Sequence, residues 1–264
     1  RLGLGPTDCE KINVKLIYGR ITGWGQDGPY AKKAGHDINY LAITGALNAI
    51  GLKHTGPIPP LNLLGDYAGG SMFLIMGILS ALWERNSSNK GQVIDAAMIE
   101  GVPALMSLIH TFILEKNWNN SRSSNLLDGG CPYYRCYETK DGLFVSVGAL
   151  ENKFFAILIE KLKLDRNWIK NQENKSKWDL LTHELSAIFL TKTRNEWADI
   201  FIDTDACVEP VLSFDEVEKN LQNQSRKIFI RKNNILQANI APKFSRSVTK
   251  SQLSENSLSK TTNQ

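Results

Sequence analysis

What this 264-residue chain has little of narrows its chemistry before any motif is read. Its four cysteines, Cys9, Cys131, Cys136 and Cys207, form no C-x-x-C pair and have no histidine-rich segment to complete one. That spacing excludes the usual zinc frameworks and points to reduced thiols inside a cell. No Walker loop occurs, so a nucleoside-triphosphate site is not expected. Gly23-Trp24-Gly25-Gln26-Asp27-Gly28 has the G-x-G-x-x-G spacing, but that spacing alone is a weak signal because any tight turn uses glycine. The formal net charge of +4 is too small for a nucleic-acid surface, though it suits a phosphorylated ligand. No apolar run approaches membrane-spanning length; the longest, around residues 72–82, is broken by glycine and serine. No internal repeat is visible. The N-x-S matches at Asn86 and Asn119 stand without any other sign of secretion. An initiator methionine is missing as well. Residues 1–6 (RLGLGP) read as the C-cap of a helix whose body is absent, so the chain is expected to begin part-way through a protein.

What is present reads first as an α/β alternation. Residues 14–18 (VKLIY) are an apolar run bounded by glycine and predict a buried strand. A glycine-rich loop, residues 20–29, follows it and is placed to wall a ligand site, because open α/β sheets bind ligands beyond their strands' C-terminal ends. Ile38, Leu41, Ala42, Ala46 and Ala49 recur at helical spacing after His36 and Asp37. A proline-bearing loop, GPIPP at 56–60, can then fold back, and Asp66 opens a second helix expected over about 66–85. A second buried strand at 92–97 and a helix over 98–115 complete this segment.

From residue 131 the texture changes. Residues 133–137 and 143–147 flank Thr139-Lys140-Asp141-Gly142, a strong hairpin signal. Helices are expected over 152–164, about 178–190 and 194–202, the last opened by a capping box from Thr193 to Glu196. The domain reading is therefore 1–130 as an α/β large-domain segment, 131–225 as a small α+β domain, 226–246 as a strand returning to the first, and 247–264 as a disordered tail.

His36 and Asp66 stand at the starts of two successive helices, a layout in which one substrate is gripped from two sides. Each also has an ordinary explanation. A histidine near a helix start is commonly a packing residue, and aspartate is a favoured N-cap. Leu61, Leu63, Leu64 and Tyr67 would desolvate Asp66 and favour its neutral form. Glu151 suits a helix N-terminus by charge alone, and Tyr40 and Asn62 read as interior polar groups.

The segments AGHDINYLAITGALNAIG, PLNLLGDYAGGSMFLIMGILSALWER, GQVIDAAMIEG, LLDGGCPYYRCYETKDGLFVSVGALE and TDACVEPVLSFDEV change that balance. In this order, over about residues 15–245, they resemble the α-methylacyl-CoA racemase branch of the family III CoA-transferases. The resemblance implies a family III CoA-transferase fold of the α/β class: a Rossmann-like large domain, here its later part only, with a smaller α+β domain. It also implies an interlocked homodimer, and a missing N-terminal part that holds the first Rossmann strands and most CoA-binding residues. The implied substrate is an acyl-CoA thioester. No metal and no separate cofactor is implied, CoA being part of the substrate, and neither nucleic acid nor membrane is a partner. The implied location is intracellular, mitochondrial or peroxisomal in a eukaryote. The targeting signal is not readable: the tail ends Thr262-Asn263-Gln264, not in an SKL-like sequence.

Carried over position by position, the catalytic pair falls on His36 and Asp66, and a supporting glutamate on Glu151, where it is expected to pair with His36. The active-site asparagine falls on Asn62, the backbone N–H that binds the thioester oxygen on Asp37, and a pocket-lining tyrosine on Tyr40. Inverting a carbon alpha to a thioester needs a base and an acid on opposite faces. An imidazole, ordinarily titrating near about 6.5, serves as neutral base near pH 7, with a protonated carboxyl opposite. Two other readings stay open. One is transfer of CoA between acids with Asp66 as nucleophile. Against it stand the histidine in GHDINY, where transferases run closer to G-F/Y-D, and the absence of a glycine-rich loop in GALENKFF. The other is an inactive, incomplete homologue, against which stands the intact His36 and Asp66 pair.

Overall fold

The computed structural model describes residues 2–247. By contact the chain divides into two units, Arg1–Glu209 and Pro210–Gln264. The first opens with α1 (Pro6–Ile12), whose proline sits at a helix start, where the missing N–H costs nothing. The first strand, β1 (Tyr18–Thr22), begins where the expected one ends, and Val14 and Leu16 are exposed. It pairs in parallel with β2 (Val93–Ala97), Tyr18 opposite Val93 and Thr22 opposite Ala97.

The crossover between these strands carries α2 (Asp37–Ile43), α3 (Ala46–Ala49), a π-helix (Leu63–Met72) and α4 (Phe73–Ser88). The helix expected after His36 is thus two short ones, broken at Gly45, whose φ of +84° only glycine adopts freely. The shift of β1 has its cause here too. Gly19 has no side chain, and a Cβ there would lie 3.0 Å from Leu74 Cδ1 and 3.3 Å from Ile78 Cδ1. Gly19 therefore does not end the strand; it lets α4 lie down on it.

Leu74, Gly77 and Ile78 of α4 face the sheet, while Ile75, Met76, Leu79 and Trp83 are exposed. The continuous helix Leu63–Ser88 is long and apolar enough to cross a bilayer, by length and composition, with 17% of its most apolar window buried. The apolar run is still broken at Gly77 and Ser80, but a helix carries glycine and serine within it without ending.

After β2 come α5 (Met98–Leu105) and α6 (Ser107–Leu114), parted at Met106 where a single helix was expected. Leu41, Ala46 and Val102 form a small core with Leu47, Leu64 and Met106 against it. A larger core lies beyond residue 130. There β3 (Tyr134–Glu138) and β4 (Phe144–Gly148) make the expected antiparallel hairpin, with β5 (Val208–Pro210) as the third strand beside β4.

Helices α7 (Asn152–Lys161), α8 (Asn167–Lys170), α9 (Trp178–Phe189) and α10 (Arg194–Phe201) cover this sheet's core residues. Tyr137 stacks on Phe189 at 5.1 Å, and Phe189 meets Trp197 edge-on at 5.2 Å. The capping box forms as its spacing predicts: Glu196 N–H donates to Thr193 Oγ1, and Thr193 N–H donates to Glu196 Oε2 at 2.7 Å. Burial pushes the Cys131 thiol up to about 12, so it stays protonated near neutral pH as a packing group. All four cysteines are unpaired.

In the second unit, α11 (Leu221–Arg226) precedes β6 (Phe229–Lys232) and β7 (Ile235–Ala238), an antiparallel hairpin. The single strand expected over 226–246 is therefore two. The turn is made by Asn233 and Asn234 at φ +49° and +62°, a conformation asparagine tolerates better than most residues. Beyond Ser247 the tail expected to be disordered lies outside the described residues.

Candidate active site

His36 is the N-cap of α2, with extended backbone and an exposed side chain; its N–H donates to Asn39 Oδ1 at 3.0 Å. The next residue turns inward. Asp37 is 6% exposed, and its Oδ2 accepts from the N–H groups of Gly65 at 2.7 Å and Asp66 at 2.8 Å. Its Oδ1 is buried with no hydrogen-bond partner among the described residues. The approach depends on glycine, since a Cβ at residue 65 would lie 2.6 Å from Asp37 Oδ2.

Asp66 does not open an α-helix as expected; it is the fourth residue of the π-helix that follows Asn62. π-Helical turns are rare overall but frequent at functional sites. Asn62 Nδ2 donates to Asp66 Oδ2 at 3.1 Å, and Ser71 Oγ donates to the Asp66 carbonyl at 2.8 Å. Before Asn62, Leu61 holds φ at +58°, an unusual conformation for a bulky side chain. Of the four residues expected to form an apolar shell around Asp66, Leu64 alone is part-buried. Leu61, Leu63 and Tyr67 are exposed, because the left-handed turn and the wide coil direct them outward. Asp66 is half-buried, and its partners are polar.

Tyr40 is one of these neighbours. Burial, and then the charge of Asp66, push its hydroxyl above the usual phenol value, and it donates to the Gly35 carbonyl at 2.5 Å. Its ring meets Trp24 edge-on at 4.7 Å, and a Cβ on Gly23 would fall 1.9 Å from Tyr40 Cζ. The glycine-rich loop after β1 thus packs on Tyr40, as a wall beside it.

The structure therefore brings Asn62, Tyr40, Asp37 and Asp66 together, with His36 adjoining through the chain. It does not bring Glu151 to His36. Glu151 is exposed at the N-cap of α7 and makes no ion pair with His36 among the described residues; its neighbours Leu150 and Phe154 pack on the other core. Its charge falls on Cys207, whose thiol is raised by burial first and then by Glu151.

Three features escaped the sequence reading: the Asp37 carboxylate, Ser71, and the crossing of Gly69 with Gly101. A Cβ on Gly101 would lie 1.9 Å from the Gly69 carbonyl oxygen, so the π-helix and α5 meet backbone to backbone. Glycines inside an apolar helical pattern were the available signal, since such positions usually have a packing reason. Beside the small core an apolar cavity of about 360 Å³ is lined by Ala46, Leu64, Val102, Leu105, Met106 and Trp118.

The sequence profile of CoA-transferase family III matches residues 1–255. The chain belongs to CoA-transferase family III. Among its relatives in this family are the α-methylacyl-CoA racemases of Mus musculus and Homo sapiens. Each is 44% identical over 230 residues, covering 87% of this chain and 60% of the relative. The chain thus spans about 60% of the length of these relatives. A CaiB/BaiF family protein from Brucella suis superposes with a TM-score of 0.70, covering 93% of this chain and 65% of that one. At 20% identity that likeness speaks for the family III fold alone.

Proposed function

We propose that the protein inverts the α-carbon of 2-methylacyl-CoA thioesters by passing protons between two bases. The observation that carries the proposal is the link between His36 and Asp66. Asp37 follows His36 directly, and its carboxylate is bonded to the backbone of Asp66, so both side chains hang from one short, buried connection. The 44% identity to racemases supports the substrate class.

In one direction neutral His36 takes the α-proton, the thioester becomes an enolate, and protonated Asp66 returns a proton to the opposite face. In the other direction carboxylate Asp66 abstracts and imidazolium His36 donates. Each turnover leaves the pair with its proton on the other partner, so the two groups act as one unit. The enolate oxygen carries the developing charge. The backbone N–H of Asp37, in the first turn of α2 and without an acceptor inside that helix, is suited to bind it. Asn62 holds the Asp66 carboxyl, and Tyr40 borders it. The apolar cavity beside Leu64 suits an apolar acyl group. CoA enters as part of the substrate, and the steps use no other cofactor.

The reading includes an interlocked homodimer. The exposed stripe of Ile75, Met76, Leu79 and Trp83 is apolar surface of the kind that subunits cover. Glu151 of a second copy is then the one that pairs with His36. The reading keeps an intracellular location, mitochondrial or peroxisomal in a eukaryote, in line with four unpaired thiols.

The test is to incubate the full-length protein with one enantiomer of a 2-methylacyl-CoA and a free carboxylic acid. Loss of chirality at C2 with CoA left on its original acyl group is expected. Movement of CoA to the added acid, with an acyl adduct on Asp66, would make the protein a transferase instead.

A further inference from the structure

We infer that the Asp37 side chain is a positioning residue that sets Asp66 against His36, an inference that deepens the two-base reading and depends on it. Three contacts hold Asp66. Those from Asn62 and Ser71 come from its own helix, four and five residues away. Among the described residues, the hydrogen bond to Asp37, twenty-nine residues away, is the one that ties Asp66 to the segment that carries His36.

The geometry of the π-helix gives this contact its value. Hydrogen bonds in such a helix run from residue i+5 to residue i. The N–H groups of its first turn therefore have no acceptor within it, as at any helix start. Gly65 and Asp66 are the third and fourth residues of the Leu63–Met72 helix, and both of their N–H groups go to one oxygen, Asp37 Oδ2. A charged acceptor shared by two donors is among the stronger hydrogen-bond arrangements.

The sequence is arranged around this contact at both ends. Residue 65 has to be glycine for the carboxylate to come so close. Asp37 keeps one buried oxygen without a partner among the described residues, which is costly for a side chain whose only task is to fill space. A carboxylate is there for the two N–H groups it grips. Losing that grip frees the start of the π-helix, and with it the position of the Asp66 carboxyl. A displacement of about 1 Å at a reacting group can cost about 10²-fold in rate.

Two readouts on the full-length protein test this, with Asp37→Ala and Asp37→Asn compared to wild type. The amide oxygen of asparagine can accept both N–H groups, so Asp37→Asn is the rescuing variant. Amide hydrogen exchange by NMR is expected to show protected Gly65 and Asp66 N–H groups in the wild type. Protection should be lost selectively in Asp37→Ala and largely recovered in Asp37→Asn.

Deuterium wash-in from D₂O is then measured on each enantiomer separately. For Asp37→Ala, exchange from the enantiomer that Asp66 deprotonates is expected to fall by about 10²-fold. Exchange from the enantiomer that His36 deprotonates should fall far less. Equal losses on both enantiomers, or unchanged protection of the two amides, would overturn the positioning role. A wild-type protein that exchanged neither enantiomer would refute the two-base reading, while the amide pattern would still decide whether Asp37 holds Asp66.

Discussion

Racemisation by the full-length protein should fall by about 10²–10⁴-fold when either His36 or Asp66 is replaced by alanine, the range typical for a positioned proton donor or acceptor. Each enantiomer presents its α-proton to one of the two groups, and the enolate is reprotonated by the other. Removing either breaks the path in both directions. The double variant should therefore be little worse than the poorer single one, since residues that act as one unit are not additive. KM should change much less than kcat, because neither side chain is asked to hold the CoA moiety. Chiral analysis of the acyl group over time measures all of this. A single variant that kept racemisation within about threefold of wild type would remove that residue from the proton path.

The second large effect is expected at Gly101. Alanine there would place its Cβ 1.9 Å from the Gly69 carbonyl oxygen and 2.6 Å from the Gly69 carbonyl carbon. Both are backbone atoms, and no side-chain rotation relieves the contact. The π-helix and α5 would have to separate, opening the small core of Leu41, Ala46 and Val102. Overpacking of this kind typically costs about 1–3 kcal/mol, and a backbone-on-backbone clash belongs at the upper end. Gly69 lies three residues beyond Asp66 in the same helix, so racemisation should fall together with stability. Urea denaturation of Gly101→Ala beside wild type reads the first effect. A midpoint unchanged within error would mean that the two glycines do not meet as described.

Much of this was legible where the physics is local. The hairpin of β3 and β4 follows from alternation around Asp141-Gly142, and Gly142 takes a φ of +73° in that turn. The capping box at Thr193 needs only a four-residue spacing, and it forms. His36 at a helix start was readable from the periodicity after it.

Contacts between distant residues were not legible. A strand ending at residue 18 looks natural until Leu74 and Ile78 are seen filling the space above Gly19. Apolar periodicity does not distinguish a π-helix from an α-helix over ten residues, so Asp66 was placed at a helix start that lies at Leu63. Asp37 was visible for its backbone alone, because the partners of its carboxylate are twenty-eight and twenty-nine residues away. Within one chain Glu151 and His36 do not meet, and motif order carries no information about which distant segments come together.

The measurement that bears most directly on the two-base account is the deuterium content of inverted product formed by the full-length protein in D₂O. A single enantiomer of 2-methylacyl-CoA is used, and only the first few per cent of conversion is sampled. If one group removes the α-proton and the other delivers a solvent-derived one, every inverted molecule should carry deuterium at C2. Inverted product that retained its original hydrogen would contradict that path, and with it the roles given to His36 and Asp66.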